Sequence, residues 1–459
     1  MKFAVAKLPP GLSLDADTGL ITGALRERGT HETTVRATNA RGTAERGFRI
    51  VVGEEIALTP VMGCNTYGGW GPFVSEANIR AAAEALVKTG LTRHGYSYVN
   101  IDDGWQGKRG GKYNAIQPNE KFGDLRVLCD DLHRMGLKVG IYSTPWTSSY
   151  EGFIGGSSDD QNGAWTRPNP PRSGTGKFGR YRFEAADARQ FAEWGFDYFK
   201  YDWALDKPDA ELVERTRRMV AALRGTDRDV VFELSNAAPL AQAHELTALV
   251  NMCRTTGDIV DVWDRSQLDA EKQKWAFGVR DIWNHHKLWA EFNRPGHWNM
   301  PCPLRVGVLG GWDLKPLQPT RLTPDEQYTH LSLWCLWSAP IIIGCPPERL
   351  DAFTLSLLTN DDVLEINQDP LGKQARQIEV GGHEILIKDL EDGTKAVGLF
   401  NVGRAEAEVS VAWRDLGLKG PQYVRDLWRQ KDLGAFPEKF SAKVRSHGVV
   451  LIRVRSQTP

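Results

Sequence analysis

Between about residues 55 and 370 the chain alternates short β-rich runs with helical stretches, and eight runs can be counted: 61–65, 98–102, 138–143, 198–202, 230–234, 252–255, 297–301 and 340–344. Strands separated by helices cannot pair as hairpins, so they lie parallel and need both faces covered. Eight such units in roughly 310 residues fit a closed α/β barrel of the (β/α)8 TIM type better than an open doubly wound sheet. No GxGxxG motif follows the first run, which disfavours a dinucleotide-binding fold. The helices carry their own start and stop signals. Ser75 caps a stretch whose apolar face is Ile79, Ala82, Ala83, Leu86 and Val87, ending at Gly90. Asp124 caps another with Leu128, Leu132 and Met135, ending at Gly136, and Thr323-Pro324-Asp325-Glu326 is a capping box with Pro at the first helical position.

The flanks have a different texture. Residues 1–54 carry turn chemistry at Pro9-Pro10-Gly11 and Asp15 to Gly19, then alternation through 31–37 and 48–52, which predicts a small antiparallel β module. Its LPPGLSLD, TGLITG and ATNARGTAE stretches resemble immunoglobulin-like modules appended to bacterial extracellular enzymes, with too few strands for a full sandwich. After Asp369-Pro370-Leu371-Gly372 the helical pattern stops. Alternating runs at 384–388, 396–400, 409–412 and 449–454, with Asp392-Gly393 as a hairpin turn, predict an antiparallel β-sandwich over 371–459. The middle segment, 55–370, is the expected catalytic barrel.

Composition narrows the function. The 57 basic and 58 acidic residues give net charge −1, so no basic surplus exists to drive binding to nucleic acid. The run 108–112 is read as a solvated loop. The most apolar stretch, 331–345, is interrupted by Ser332, Ser338 and Pro340 and is too short to span a bilayer, so no membrane role is expected. The first seven residues carry no long apolar stretch of the kind an export signal needs. The likeness of the first module to extracellular ones points to a secreted or periplasmic setting, with a cytoplasmic one as the alternative. The six cysteines show no CxxC, which argues against a zinc site or a disulfide framework. His285-His286 reads as packing and not metal ligation. Ser173 to Lys177 lacks the full spacing of a P-loop and follows a Pro-rich loop instead of a strand. Oligomeric state has no signature here.

A barrel's working residues lie where strands end, and those ends carry Asn65 and Tyr67, Asp102 and Asp103, Tyr142, Lys200 and Asp202, Glu233 and Asn236, Arg254 and Asp258, and Trp298 with Asn299. Charges gathered at one mouth of an apolar barrel serve little structural purpose, because an unpaired buried charge is costly. Convergent carboxylates without metal-ligand spacing match glycoside hydrolysis, which needs one ionised and one protonated carboxyl group. The 16 Trp offer flat faces for sugar rings. Asp202 is the nucleophile candidate, because Lys200 on the same strand face favours its ionised form. Asp258, in a Gly-containing loop two strands further round, is the acid/base candidate, expected about 5–5.5 Å from Asp202 in a retaining site. Arg254 orients a carboxylate or a hydroxyl. Asp102 and Asp103 alternate in direction, so one faces the mouth and the other braces it.

The ordered motifs TPVMGCNTY (59–67), YVNIDDGW (98–105), Lys200-Tyr201-Asp202, RTTGDI (254–259) and NQDPLG (367–372) resemble glycoside hydrolase family 27, over about residues 57 to 456. The resemblance implies a retaining exo-glycosidase that releases terminal α-D-galactose from oligosaccharides or glycoconjugates, with neither metal nor organic cofactor. It implies Asp202 as nucleophile and Asp258 as acid/base, with Asp102, Asp103, Tyr142, Lys200, Glu233 and Arg254 on the sugar, and Tyr67 where a Trp is usual. Departures cluster near the mouth. The family's Trp-Asn-Asp-Pro-Asp-Met reads Trp298-Asn299-Met300-Pro301-Cys302-Pro303, which puts Cys302 at a sugar-binding position without a bidentate acceptor. Cys64 stands for a Trp, Ala204 for a Cys in the nucleophile loop, and Pro346-Pro347 for an acidic loop start. Two readings keep the chemistry and change the sugar: a β-L-arabinopyranosidase, and an α-N-acetylgalactosaminidase, which Glu233 disfavours. A third keeps the fold as a degenerate carbohydrate-binding protein.

Overall fold

A computed structural model describes residues 1–202, 209–269, 271–310 and 316–456; Ala204 falls outside them. The chain divides into two compact units, Met1–Ile56 and Ala57–Pro459. In the first, Lys2–Val5, Gly29–Asn39 and Gly42–Val52 form an antiparallel sheet in that order, and Leu12–Leu14 pairs with Ile21–Gly23. The turn read at Asp15 is closed by its carboxylate, which accepts from the backbone N–H groups of Asp17 at 2.8 Å and Thr18 at 3.0 Å.

In the second unit the eight runs form one parallel sheet that follows the chain: β1 (Met62–Asn65), β2 (Tyr98–Asn100), β3 (Lys138–Ser143), β4 (Tyr198–Asp202), β5 (Val231–Ser235), β6 (Met252–Arg254), β7 (Trp298–Met300) and β8 (Ile341–Ile343). β8 pairs with β1, and Leu304, just past β7, bridges Ile343. Its N–H donates to the Ile342 carbonyl at 2.7 Å, which closes the ring. The helices of about two or more turns between strands are α1 (Glu76–Lys88), α2 (Leu125–Arg134), α3 (Glu184–Trp194), α4 (Ala210–Arg224), α5 (Ala243–Leu249), α6 (Val279–His286) and α7 (Pro324–Leu336); α8 (Ala352–Leu358) and α9 (Asp361–Asn367) follow β8. The caps predicted at Asp124 and Thr323 form. Asp124 accepts from the Arg126 N–H at 2.8 Å, and Thr323 and Glu326 make a reciprocal capping box at the start of α7.

Beyond the barrel, a six-stranded antiparallel sheet runs in the order Arg376–Val380, His383–Asp389, Lys395–Phe400, Val449–Ser456, Gln422–Asp426, Lys431–Phe436, and Ala407–Ala412 pairs with Lys439–Val444. Alternation along the central strands divides their side chains between two cores. Ile385, Ile387, Val397 and Ile452 join Val409, Val411 and Phe440 inside the sandwich, whereas Leu386, Ala396 and Leu451 pack into the barrel's core. That second layer explains why α7 is buried on nearly every face and shows no amphipathic stripe: it is covered by the barrel on one side and the sandwich on the other. All six cysteines are buried free thiols.

Candidate active site

Strand register sorts the mouth into layers. Tyr142 on β3, Lys200 on β4 and Glu233 on β5 lie level with one another, and Asp202 lies one layer higher, level with Ser235. Because successive side chains alternate, Lys200 and Asp202 share a face while Tyr201 points back into the helix layer.

The acidic half of the rim is a bonded network. Asp102, just past β2, accepts from Lys200 Nζ and from Asn65 Nδ2, each at 2.7 Å on the same oxygen. The Lys200 ammonium thus pairs with Asp102 and acts on Asp202 through its charge. Burial works against that ammonium, but Asp102, Asp202 and Glu233 outweigh it and hold it above the ordinary lysine range. Asp202 accepts from Tyr142 Oη on Oδ2 and from Asn236 Nδ2 on Oδ1, both at 2.7 Å. Burial pushes its carboxyl up to about 6, with Lys200 and the Tyr142 hydroxyl holding it from rising further. Glu233 accepts from the Tyr198 hydroxyl, and burial raises it as well.

Asp258 opens a two-residue strand, Asp258–Ile259, after β6. Its Oδ1 accepts from Arg254 Nη2 at 2.9 Å, and about a fifth of its side chain (21%) is exposed. Burial disfavours the Arg254 charge, which Asp258 and Glu233 restore. The charge of Asp258 contributes to the rise of Asp202, and both carboxylates act on the Tyr150 phenol, which burial and these charges push up. The two acids therefore share one field at the mouth. Below it a cavity is lined by Tyr67, Lys200, Glu233, Arg254, Met300 and Arg305, among others.

The loop after β3 folds back onto this rim. Glu151 accepts from Tyr67 Oη at 2.7 Å, and its own N–H donates to Asp103 Oδ2 at 3.0 Å. Asp103 also takes Gln106 Nε2 at 3.1 Å, so of the two adjacent aspartates Asp102 faces the network and Asp103 ties the loop down. Burial raises Asp103 to about 7 against those donors.

Three readings change with the coordinates. Cys302 is fully buried; its Sγ accepts from the Ile259 N–H at 3.5 Å, behind the segment that carries Asp258, and the β7 residue that lines the cavity is Met300. Asn299 faces the helix layer, where its Nδ2 donates to the Trp289 carbonyl at 2.6 Å, and Trp298, on the same face of β7 as Met300 but two residues further from the mouth, is fully buried with its Nε1 donating to the Ala57 carbonyl at 2.6 Å. Trp105, Trp146, Trp283, Trp298, Trp334 and Trp337 are all among the fully buried side chains, so these aromatics build the core and not sugar platforms. His286 is a core residue as read: Nδ1 meets the Thr255 hydroxyl at 2.9 Å and burial lowers it to about 3.

Sequence reasoning passed over Arg305 and Glu151. Arg305 is buried beside the cavity, and burial pulls it down to about 10. The signal for it was the glycine at 68: a Cβ there would stand 2.1 Å from the Gly344 carbonyl oxygen and 3.0 Å from Arg305 Nη1. Glu151 sits in a loop without periodicity, and nothing local marks it.

A parallel eight-stranded barrel whose C-terminal mouth gathers ion-paired and hydrogen-bonded acids defines a carbohydrate-active hydrolase of the TIM-barrel class. The family model described as "Alpha galactosidase A" matches residues 65–166 and 171–369, that of the alpha galactosidase C-terminal beta sandwich domain matches 380–454, and one described as "Putative Ig domain" matches 1–53. The chain belongs to glycoside hydrolase family 27, the alpha-galactosidase (melibiase) family, and is a glycoside hydrolase. Among its relatives, alpha-galactosidase 2 of Arabidopsis thaliana is 31% identical over 404 residues, covering 87% of this chain and 90% of the plant protein. Alpha-galactosidase A of Cellvibrio japonicus is 31% identical, over 87% of this chain and 93% of its own. Among solved structures, alpha-galactosidase I from Mortierella vinacea superposes with a TM-score of 0.75 at 28% identity, covering 88% of this chain and 99% of the other. A family 27 β-L-arabinopyranosidase from Geobacillus stearothermophilus does so at 0.74 and 25%, covering 88% and 97%.

Proposed function

We propose that this chain hydrolyses terminal α-D-galactosides with retention, through a covalent intermediate on Asp202. In the first step an Asp202 oxygen bonds to the anomeric carbon, the bond to the leaving oxygen breaks, and Asp258 gives that oxygen its proton. In the second, Asp258 takes a proton from water, the water oxygen bonds to the same carbon, and Asp202 leaves as a carboxylate. The observation that carries this reading is the pairing of environments: Asp202 is buried beside Lys200 with donors on both oxygens, whereas Asp258 is partly exposed and engages Arg254 through one oxygen. Lys200, which lines the cavity and is bonded to Asp102, and Arg305, which also lines it, are offered with Asp102 as the groups that hold the sugar hydroxyls.

One observation keeps a second sugar in play. Glu233 lies a layer below Asp202 with one carboxylate oxygen accepting from Tyr198, and the β5 residue level with Asp202 is Ser235. Glu233 lines the cavity from that lower layer, so its presence does not by itself decide which group is accepted at C2. The test is a panel of p-nitrophenyl glycosides: α-D-galactoside, β-L-arabinopyranoside and α-N-acetyl-D-galactosaminide. The reading expects the α-galactoside to have the highest kcat/KM and Asp202→Asn to abolish turnover. Turnover surviving in Asp202→Asn, or a preference for either other sugar, overturns it.

A further inference from the structure

We propose that Asn236 is a positioning residue that fixes the second oxygen of Asp202 and so sets the aim of the attacking carboxylate, an inference that rests on Asp202 being the nucleophile. Its Nδ2 donates to Asp202 Oδ1 at 2.7 Å, while Tyr142 Oη holds Oδ2 at the same distance. A carboxylate gripped on both oxygens from two neighbouring strands cannot rotate, so one lone-pair direction is fixed before the sugar arrives.

The backbone is shaped for this. Asn236 follows directly on β5 and has φ of 64°, the left-handed region that Asn tolerates better than most side chains. That turn carries the amide from a strand end over to β4. The same Nδ2 lies 3.3 Å from Tyr150 Oη, which ties the grip on Asp202 to the loop after β3. Among the described residues, the titratable groups acting most strongly on Asp202 include Lys200 from its own strand, Tyr142 and Tyr150 from β3 and its loop, Asp102 from just past β2 and Asp258 from beyond β6. Among these described groups Lys200 is the cation, and Asp102 shares it, so a neutral donor on Oδ1 contributes to keeping Asp202 ionised.

Two variants fit the left-handed turn without strain: Asn236→Gly, which deletes the amide, and Asn236→Asp, which keeps its shape and sets a second carboxylate against Asp202. For Asn236→Gly the expected result is a fall in kcat of about 10- to 100-fold with KM nearly unchanged, and an acid limb of kcat/KM moved up by about one pH unit. Asn236→Asp should lose more and move the limb further. Thermal melts of both should stay near the parent, since each tolerates the backbone. An unchanged rate, or a lost rate with an unmoved acid limb, would reduce Asn236 to a structural turn residue and overturn the proposal. Asp202→Gly with added azide separates the two readings: recovery of turnover as a glycosyl azide supports the nucleophile, so a null result at Asn236 then falls on this inference alone. Failure of azide to restore turnover counts against the nucleophile reading itself.

Discussion

The two sides of the barrel mouth are built on opposite principles. From β1 to β4 the rim is rich in paired charge: Asp102 accepts from Asn65 and Lys200, and Asp202 accepts from Tyr142, each at 2.7 Å. From β7 to β8 the described rim carries Met300, Pro303, Ile342 and Gly344, with Arg305 as the charged group lining the cavity. Both sides are buried, yet only the first keeps its acids, because there each carboxylate has a donor or a cation within hydrogen-bond reach. On the function proposed above, the reacting groups belong to the β2–β6 arc and the opposite arc shapes what the sugar meets.

The comparison can be broken most forcefully at Asp258. Replacing it by Ala should lower kcat/KM by about 10²- to 10⁴-fold for a poor leaving group and far less for p-nitrophenol, because an activated leaving group needs no proton. An equal loss for both would deny Asp258 the acid role. Next comes Lys200→Met, which strips the cation from two carboxylates. It should cost about 10²-fold in kcat/KM and raise the acid limb, which otherwise follows Asp202 near pH 6. An unmoved limb would uncouple Lys200 from Asp202.

On the other arc, Cys302→Asp sharpens the contrast. Since Cys302 is buried behind the Asp258 segment and close to Arg254, a carboxylate there should compete with Asp258 for that guanidinium and lower turnover about tenfold. A gain in galactoside turnover would return this position to the sugar surface. The smallest expected effect is on stability. Burial raises Asp202 to about 6, so its ionisation opposes folding: the penalty is absent below about pH 4, grows as the pH rises to about 6, and is complete above it. Asp202→Asn should therefore melt higher than the parent at pH 8, by up to about 3 kcal/mol in stability, and show no gain near pH 4. A lower melt at pH 8 would contradict the burial argument.

The same division marks what the sequence disclosed. Strand ends are periodic, so a residue such as Asp202 or Arg254 could be assigned to the mouth from its place in a run, and caps such as Asp124 and Thr323 announced their helices. Side-chain direction after a strand ends is not periodic. Cys302, two residues beyond β7, was set at the mouth by motif position alone and instead turns inward under the Ile259 N–H. Glu233 could be assigned to its strand, and it lines the cavity, but its height relative to Asp202 comes from the register that sets Asp202 level with Ser235, which no single run encodes. The tryptophans misled for a different reason. They are numerous because a barrel enclosed by helices and backed by a sandwich has much apolar volume to fill.

The reading stands or falls on which atom holds the sugar between the two steps. Incubating the enzyme with 2,4-dinitrophenyl 2-deoxy-2,2-difluoro-α-galactoside, whose fluorines slow the second step, and sequencing the labelled peptide by mass spectrometry tests this directly. The account predicts one fluorosugar on Asp202, in the peptide that contains Lys200 and Tyr201. Attachment to Asp258 or to any other carboxylate, or loss of dinitrophenolate with no adduct and an inverted first product, would contradict it.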